Sequence, residues 1–208
     1  NRLDKDTSGI IILGKNPKMN ALIYNITKSR QMEKKYFALA IGRIRKKTGT
    51  FKDFLAKGTR DFQPVMKVSN KDDSRAKYCE TTYKVVKHIK NYSLLELTLK
   101  TGRMHQIRVQ LASRGFPVLG DKIYGNEDEN KKVSRYLKRQ FLHAYQITFN
   151  HPITNKKLKV TSELPRDLKN WNIHSVNRVY KRFINLKSEF QYFLKQKRGR
   201  GLANMLKF

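Results

Sequence analysis

A short polar segment followed by four aliphatic residues constrains this chain more than any other stretch. Residues 2–9 are polar, and the aliphatic run 10–13 follows them directly. A short, β-branched, apolar run after a Ser-Gly pair is typical of a buried strand. The sequence therefore predicts a strand over residues 10–14, with a polar turn at its entrance.

Asp4 lies in that predicted turn between two cations, Arg2 and Lys5. Neighbouring positive charge favours the ionised form of a carboxylate, and an ionised, positioned Asp can act as a nucleophile, a base or an electrostatic anchor. The alternative is a structural role, in which Asp4 and Thr7 hold the turn through hydrogen bonds from side chain to backbone. Turn chemistry is the commoner role for an Asp considered alone.

The charge balance indicates a polyanionic partner. The 208 residues include 46 Lys and Arg against 16 Asp and Glu, which gives a formal net charge of +30. Charge of this size opposes compaction, yet a hydrophobic fraction of 38% is too high for a disordered basic tail. Nucleic acid is the expected partner class. A membrane surface is second, but the sequence has neither a long apolar span nor a lipidation motif.

Cysteine usage and ligand spacing narrow the chemistry. A single cysteine, Cys79, excludes an intramolecular disulfide and an all-cysteine metal site, and it fits a reducing, cytoplasmic compartment. The sequence has no metal-ligand spacing and no phosphate-binding glycine loop.

Hydrophobic periodicity predicts alternating strands and helices. Asn16 and Pro17 are a cap and first residue for a helix that ends near Ser29. Residues 105–114, followed by Gly115, fit a helix, although their alternation also fits a strand. The other predictions are strands at 34–41, 75–88 and 93–100, short strands and loops at 49–74, an exposed insertion at 127–138, a hairpin of 141–150 with 158–163, and a short helix at 167–171.

Residues 171–208 are predicted to form a basic extension to a main domain of residues 1–170. Apolar residues recur at roughly helical spacing from Val176 to Leu194, so a helix that packs back on the domain is expected. The basic stretch 195–200 would be a mobile tail available to phosphates.

Several ordered motifs together resemble the RluA-type pseudouridine synthases, most closely the RluC branch, which acts on large-subunit ribosomal RNA. They are residues 2–9, 35–39, 101–111, 116–125, 142–144 and 151–152. The resemblance covers residues 2–167 and implies an α+β fold, with a mixed, mostly antiparallel bent sheet flanked by helices. In that family more chain precedes the first motif, so residues 1–170 are expected to be a catalytic domain that lacks its N-terminal part.

The resemblance implies a monomeric enzyme that isomerises uridine to pseudouridine in structured RNA by base flipping, with 23S ribosomal RNA as the expected substrate. This reaction involves no redox change and loses no group, so the resemblance implies no metal and no cofactor. Asp4 matches the catalytic aspartate, Arg108 the arginine that pairs with it, and Tyr36 a ring that stacks on the flipped uracil. From the residues alone, Arg108 could equally contact a phosphate and Tyr36 could be a core aromatic. A non-catalytic RNA-binding or ribosome-assembly factor on the same fold is the alternative. A DNA-binding protein is a third reading, without a helix-turn-helix or zinc pattern.

The resemblance also implies a set of RNA contacts. The expected RNA-binding residues are Arg2, Lys35, Arg103, His105, Gln106 and Arg114. Other cations would neutralise the RNA backbone without reading sequence, namely Lys100, Lys122, Arg135, Lys138 and Arg139. His105 could instead be structural, which is the role we expect for His143 and His151.

Three positions depart from the family pattern: Asn1 replaces a His, Met104 a Thr and Gln110 a second His.

Overall fold

A computed structural model describes residues 1–60, 62–169 and 203–207. Within these residues the chain forms one sheet and four helices. In chain order the elements are β1 (Ser8–Leu13), α1 (Pro17–Lys28), β2 (Glu33–Ile41), β3 (Thr48–Arg60), β4 (Gln63–Ser69), β5 (Lys77–Ile89), β6 (Tyr92–Leu99), α2 (Gln106–Ala112), α3 (Glu127–Val133), β7 (Leu142–Asn150), β8 (Lys157–Thr161), α4 (Arg166–Lys169) and β9 (Ala203–Lys207).

The sheet has nine strands in the order β4-β3-β5-β6-β2-β7-β1-β9, and β8 pairs with β7 beside this path. Only β1 runs parallel to its neighbours, β7 and β9, and the other pairs of named strands are antiparallel. One edge of β7 is shared, because β1 pairs with its first residues and β8 with its later ones. The predicted mixed, mostly antiparallel α+β fold is confirmed.

Strand β2 has buried core residues on both of its faces. Phe37 and Leu39 pack on one side with residues from α3 and α4, whereas Tyr36 and Ala38 face α2 on the other. This division follows from the two-residue period of a strand. The position of Tyr36 on the α2 side determines where the cleft described below can form.

The predicted local signals are found at the first helix. The Asn16 side chain accepts a hydrogen bond from the Met19 amide at 2.8 Å, and Pro17 opens α1. The β7–β8 hairpin, the β5–β6 pair and the helical choice for α2 are also as predicted.

Two predictions were wrong. Residues 49–74 contain a long antiparallel hairpin, β3 with β4, rather than short strands and loops. Pro64 is tolerated there because β4 is an edge strand, where a missing backbone donor costs no ladder hydrogen bond. Residues 127–138 are not simply an exposed insertion, because Val133 and Leu137 are buried in the core beside β2.

The extension is described only at β9, a strand that lies along the outer edge of β1. The helix expected over 176–194 and the tail at 195–200 lie outside the described residues. No helix in the described part of the chain is long and apolar enough to cross a membrane.

Candidate active site

The Asp4 turn is closed locally and held by residues from a distant segment. The Thr7 amide donates to the Asp4 carbonyl oxygen at 3.0 Å. The Gln140 side-chain amide donates to Thr7 Oγ1 at 2.6 Å and to the Lys5 carbonyl oxygen at 3.2 Å. Arg139 Nη1 donates to the carbonyl oxygen of Asp6, which has a left-handed backbone at φ 69°. Residues just before β7 therefore fix the turn.

Arg108 reaches this turn from α2, and its side chain is buried, with the residue 3% exposed. Nη1 lies 3.5 Å from Asp4 Oδ2. The two short hydrogen bonds go elsewhere, from Nε and Nη2 to the carboxylate of Asp121 at 2.7 and 2.8 Å. The expected meeting of Arg108 and Asp4 is present, but the bidentate partner is Asp121, which corrects the geometry predicted for Asp4.

The carboxylate of Asp121 also accepts hydrogen bonds from the backbone. It is buried, and one of its oxygens accepts from the backbone amides of Ile123 and Tyr124 at 2.9 and 3.0 Å. The Arg108 guanidinium also lies over the Tyr124 ring, 5.1 Å from its centroid. A buried guanidinium needs such a complete partner set, because an uncompensated charge in the interior is costly.

Tyr36 borders the same space from β2 and is 7% exposed. Burial, with a smaller contribution from the negative charge of Asp4, raises the pKa of the Tyr36 phenol. The hydroxyl therefore stays protonated at neutral pH. The pairing of β2 with β7 shifts register between Lys35 and Tyr36, and such irregularities re-aim side chains next to functional sites.

Asp4 and Tyr36 both line an open cavity of about 680 Å³, a volume typical of ligand sites. Asp4 is the only carboxylate among its lining residues in the described part of the chain. Six cations line it, namely Arg2, Lys34, Lys57, Arg75, Lys77 and Arg103. Burial lowers the pKa of the Lys34 ammonium. The cavity combines an apolar floor with a rim that attracts polyanions.

Only some of the predicted RNA-binding residues lie at this cavity. Arg2 and Arg103 line the cavity. Lys35 does not, because it lies on the face of β2 opposite Tyr36 and contacts Glu96 at 3.5 Å. Arg114 lies beyond the far end of α2, where it pairs with Asp53 at 2.9 Å.

Gln106 and His105 have internal partners. Gln106 lines the cavity but is 3% exposed, and its side-chain amide bonds to Thr101, Thr81 and backbone groups, so it helps to position α2. His105 has a left-handed backbone at φ 54°, and its Nδ1 lies 2.8 Å from the Tyr124 hydroxyl. Burial, followed by the positive charge of Arg108, lowers the pKa of His105.

Arg139 is a further correction, because it was expected to neutralise RNA phosphates. It is buried and forms an ion pair with Asp167 at 2.6 Å. His143 is buried between Ser8 and Ser162, as its predicted structural role requires, and burial lowers its pKa to about 4.

The sequence analysis missed three supporting residues, Asp121, Tyr124 and Gln140. It also placed Arg139 at the surface, whereas this residue is buried. Asp121 and Tyr124 lie inside the recognised stretch 116–125, and residues 139 and 140 directly precede the motif at 142–144. Proximity to those motifs was the available signal, but neither stretch indicates which distant group each side chain contacts.

Comparison with known proteins gives consistent results. A sequence model of the RNA pseudouridylate synthase family matches residues 1–113. Ribosomal large subunit pseudouridine synthase C of Rickettsia prowazekii is 38% identical over 165 residues, which are 79% of this chain and 52% of that protein. An uncharacterized RNA pseudouridine synthase of Chloroflexus aurantiacus is 36% identical over 167 residues, 80% of this chain and 50% of the relative. The chain thus spans about half the length of the curated relatives it matches.

A solved structure supports the fold. Human RNA Pseudouridylate Synthase Domain Containing 1 superposes with a TM-score of 0.66 at 24% identity, over 79% of this chain and 68% of that one.

Proposed function

The chain belongs to the RNA pseudouridylate synthase family, and we propose on this basis that it isomerises uridine to pseudouridine in structured RNA. Large-subunit (23S) ribosomal RNA is the proposed substrate, since the Rickettsia relative is named as a pseudouridine synthase of the large ribosomal subunit. The observation that carries the proposal is one carboxylate, Asp4, in an otherwise basic cavity, 3.5 Å from a buried guanidinium and beside Tyr36.

The reaction exchanges one bond for another within the same nucleotide. The bond between the ribose carbon and the base nitrogen breaks, the base rotates, and a bond to carbon 5 forms. Carbon 5 loses a proton and the nitrogen gains one, so no electrons or groups are gained or lost. The chemistry therefore requires an anionic oxygen near the sugar and base, a proton route and a way to hold the base.

Asp4 supplies the anionic oxygen in this proposal. Arg108 restrains the carboxylate from one side, and the turn is held in place by Gln140 from another. Because Asp121 takes both short hydrogen bonds of Arg108, the oxygens of Asp4 are not locked in a bidentate pair. A carboxylate that is oriented but not fully bound can still react.

Tyr36 and the apolar lining would receive the extruded uracil. A target base inside folded RNA must leave its stack, and an enclosed aromatic surface compensates for part of the lost stacking. A protonated phenol can donate a hydrogen bond to the base. The cations at the rim, such as Arg2 and Arg103, would neutralise the flanking phosphates.

Every group in the proposed site comes from one chain, so the proposal needs only a monomer, acting in the cytoplasm where ribosomal RNA is found. Residues 1–170 would form the catalytic unit.

Tritium release from 23S ribosomal RNA labelled at uridine carbon 5 tests the proposal. We expect Asp4→Asn to reduce release by at least about a hundredfold, since the variant keeps the shape but lacks the anion. Asp6→Asn is the matched control, because it removes the same charge from the same turn and Asn tolerates the left-handed backbone there. Equal release from the unchanged protein and Asp4→Asn would contradict the role of Asp4. RNA binding without isomerisation by any form would select the non-catalytic alternative.

A further inference from the structure

A second cavity, of about 430 Å³, lies beyond the far end of α2 from Asp4. Its lining includes four cations, Arg43, Arg45, Lys46 and Arg114. Three aromatic rings, Phe51, Tyr83 and Phe116, and the buried Ile44 complete it. No lining residue in the described part of the chain is acidic. The proposed catalytic steps use none of these residues.

The basic loop 43–47 is anchored rather than loosely attached. Gly42 donates to the Asn91 carbonyl oxygen at 2.8 Å, and the Ile44 amide donates to Ser93 Oγ at 3.0 Å. The Val85 amide donates to the Lys47 carbonyl oxygen at 2.7 Å. Fixed backbone on both sides of the loop presents Arg45 and Lys46 at defined positions, which lowers the entropic cost of binding an anion.

The Arg114 guanidinium lies over the end of an aromatic stack. Phe51 and Tyr83 are stacked with centroids 4.5 Å apart, and the Arg114 guanidinium lies 4.5 Å from the Phe51 centroid. Asp53 fixes the guanidinium from its edge at 2.9 Å. The Arg114 side chain is 30% exposed, so this end of the stack is accessible to solvent. Guanidinium planes fixed in this way are surfaces on which unpaired bases stack.

Phe116 lies beside this stack and is partly exposed. Its ring packs so closely on Gly42 that a Cβ at that position would come within 3.0 Å of it. The ring is therefore held in place and offers a second aromatic surface next to the cations.

The charge of the loop is not compensated locally. Among the described residues, Arg43, Arg45, Lys46 and Lys47 form no ion pair with a carboxylate. Clustered cations without counter-charges repel one another, so a polyanion that fits between them is stabilised.

We propose that this second cavity binds an unpaired nucleotide segment of the RNA substrate, with phosphates on Arg43, Arg45 and Lys46 and a base against Arg114 and Phe116. The inference rests on the proposed function, because RNA is taken as the substrate. Ile107 lines the first cavity and Arg114 the second, and the two residues are seven apart on and just after α2, about 10 Å of helical rise. A few nucleotides can span that separation, so one strand can occupy both cavities.

Binding of a 23S ribosomal RNA transcript by fluorescence anisotropy, over a range of salt, tests this site. The test variant changes Arg43, Arg45 and Lys46 to Gln, and these side chains are all exposed. We expect its Kd to rise by at least tenfold and the slope of log K against log salt to fall by about 2 to 3, one contact per lost cation. The control changes Lys156, Lys157 and Lys159, exposed residues of the β7–β8 hairpin, to Gln. The control should retain most of the affinity.

A second variant, Phe116→Leu, keeps an apolar side chain against Gly42 but removes the aromatic face. We expect at least about a fivefold increase in Kd, the lower end of the loss of one stacked base. These readouts measure binding, so they remain informative if the protein forms no pseudouridine. Equal losses in the loop variant and the lysine control would overturn the proposal. The proposal would also be overturned if polyglutamate displaced RNA from the cavity as effectively as oligouridylate does.

Discussion

Arg108 donates both of its short hydrogen bonds to Asp121, at 2.7 and 2.8 Å, and reaches Asp4 only at 3.5 Å. The two carboxylates therefore have different positions around one guanidinium. Asp121 is buried and compensates the charge of Arg108, whereas Asp4 is partly exposed to the cavity. This division keeps the arginine in place while an acid remains accessible beside it.

Asp121→Asn should lower the free energy of unfolding by about 3–5 kcal/mol, the cost of leaving a buried charge without its partner. Urea denaturation measures the change. Asp4→Asn is the comparison, and it should cost less than about 1 kcal/mol because that contact is longer and partly exposed. Similar midpoints for the two variants would show that Asp121 does not carry the pairing.

Tyr36→Phe should leave the free energy of unfolding within about 1 kcal/mol of the unchanged protein, because it keeps the buried ring and removes only the hydroxyl of a residue that borders the cavity. Burial raises the pKa of this phenol, so it should remain protonated at pH about 10, where a free tyrosine is half ionised. The difference in ultraviolet absorbance between the unchanged protein and Tyr36→Phe measures this ionisation. A phenolate signal from Tyr36 below that pH would contradict the burial argument.

Gln140→Leu should reduce turnover by about tenfold to a hundredfold while the Kd for RNA changes little. The substitution removes the hydrogen bonds to Thr7 and Lys5 that hold the Asp4 turn, and small misplacements of reacting groups are costly. Turnover and anisotropy titrations separate the two effects. Gln146→Leu, in the same strand region but away from the turn, is the control. A parallel loss of binding would argue against a positioning role.

The His143 site should make stability depend on pH. Burial lowers its pKa to about 4 from an ordinary value near 6.5, so the unfolded chain takes up a proton that the folded protein does not. Stability is complete above pH about 6.5 and should fall by about 3 kcal/mol as the pH is lowered towards 4. Denaturation midpoints across that range measure the loss. His143→Gln should flatten the slope, and His151→Gln should not.

The sequence predicts the elements best where one local signal decides the outcome. The cap at Asn16, the apolar run in β2 and the glycine after α2 each act within a few residues, so they could be identified directly. The β3–β4 hairpin was missed because its buried residues are interrupted by charged and glycine positions, and because Pro64 suggests a loop unless the strand is known to be at an edge.

The site is predicted less completely, since it depends on which distant groups meet. A buried arginine requires a carboxylate, but the sequence does not distinguish Asp4 from Asp121 as the bidentate partner. A basic chain of this kind also gives no local sign that Arg139 is internal, whereas Arg103 lines a cleft. Only the sheet topology, which brings residues 139–140 against residues 5–8, reveals that difference.

The clamp of residues 139 and 140 on the Asp4 turn also sets an order of events during synthesis. Asp4 leaves the ribosome long before Arg139, Gln140 and Asp167 have been translated. Until those residues emerge and β7 docks against β1, the turn lacks its hydrogen bonds from Arg139 and Gln140. A nascent chain thus lacks a fixed Asp4 turn until nearly the whole sheet has been synthesised.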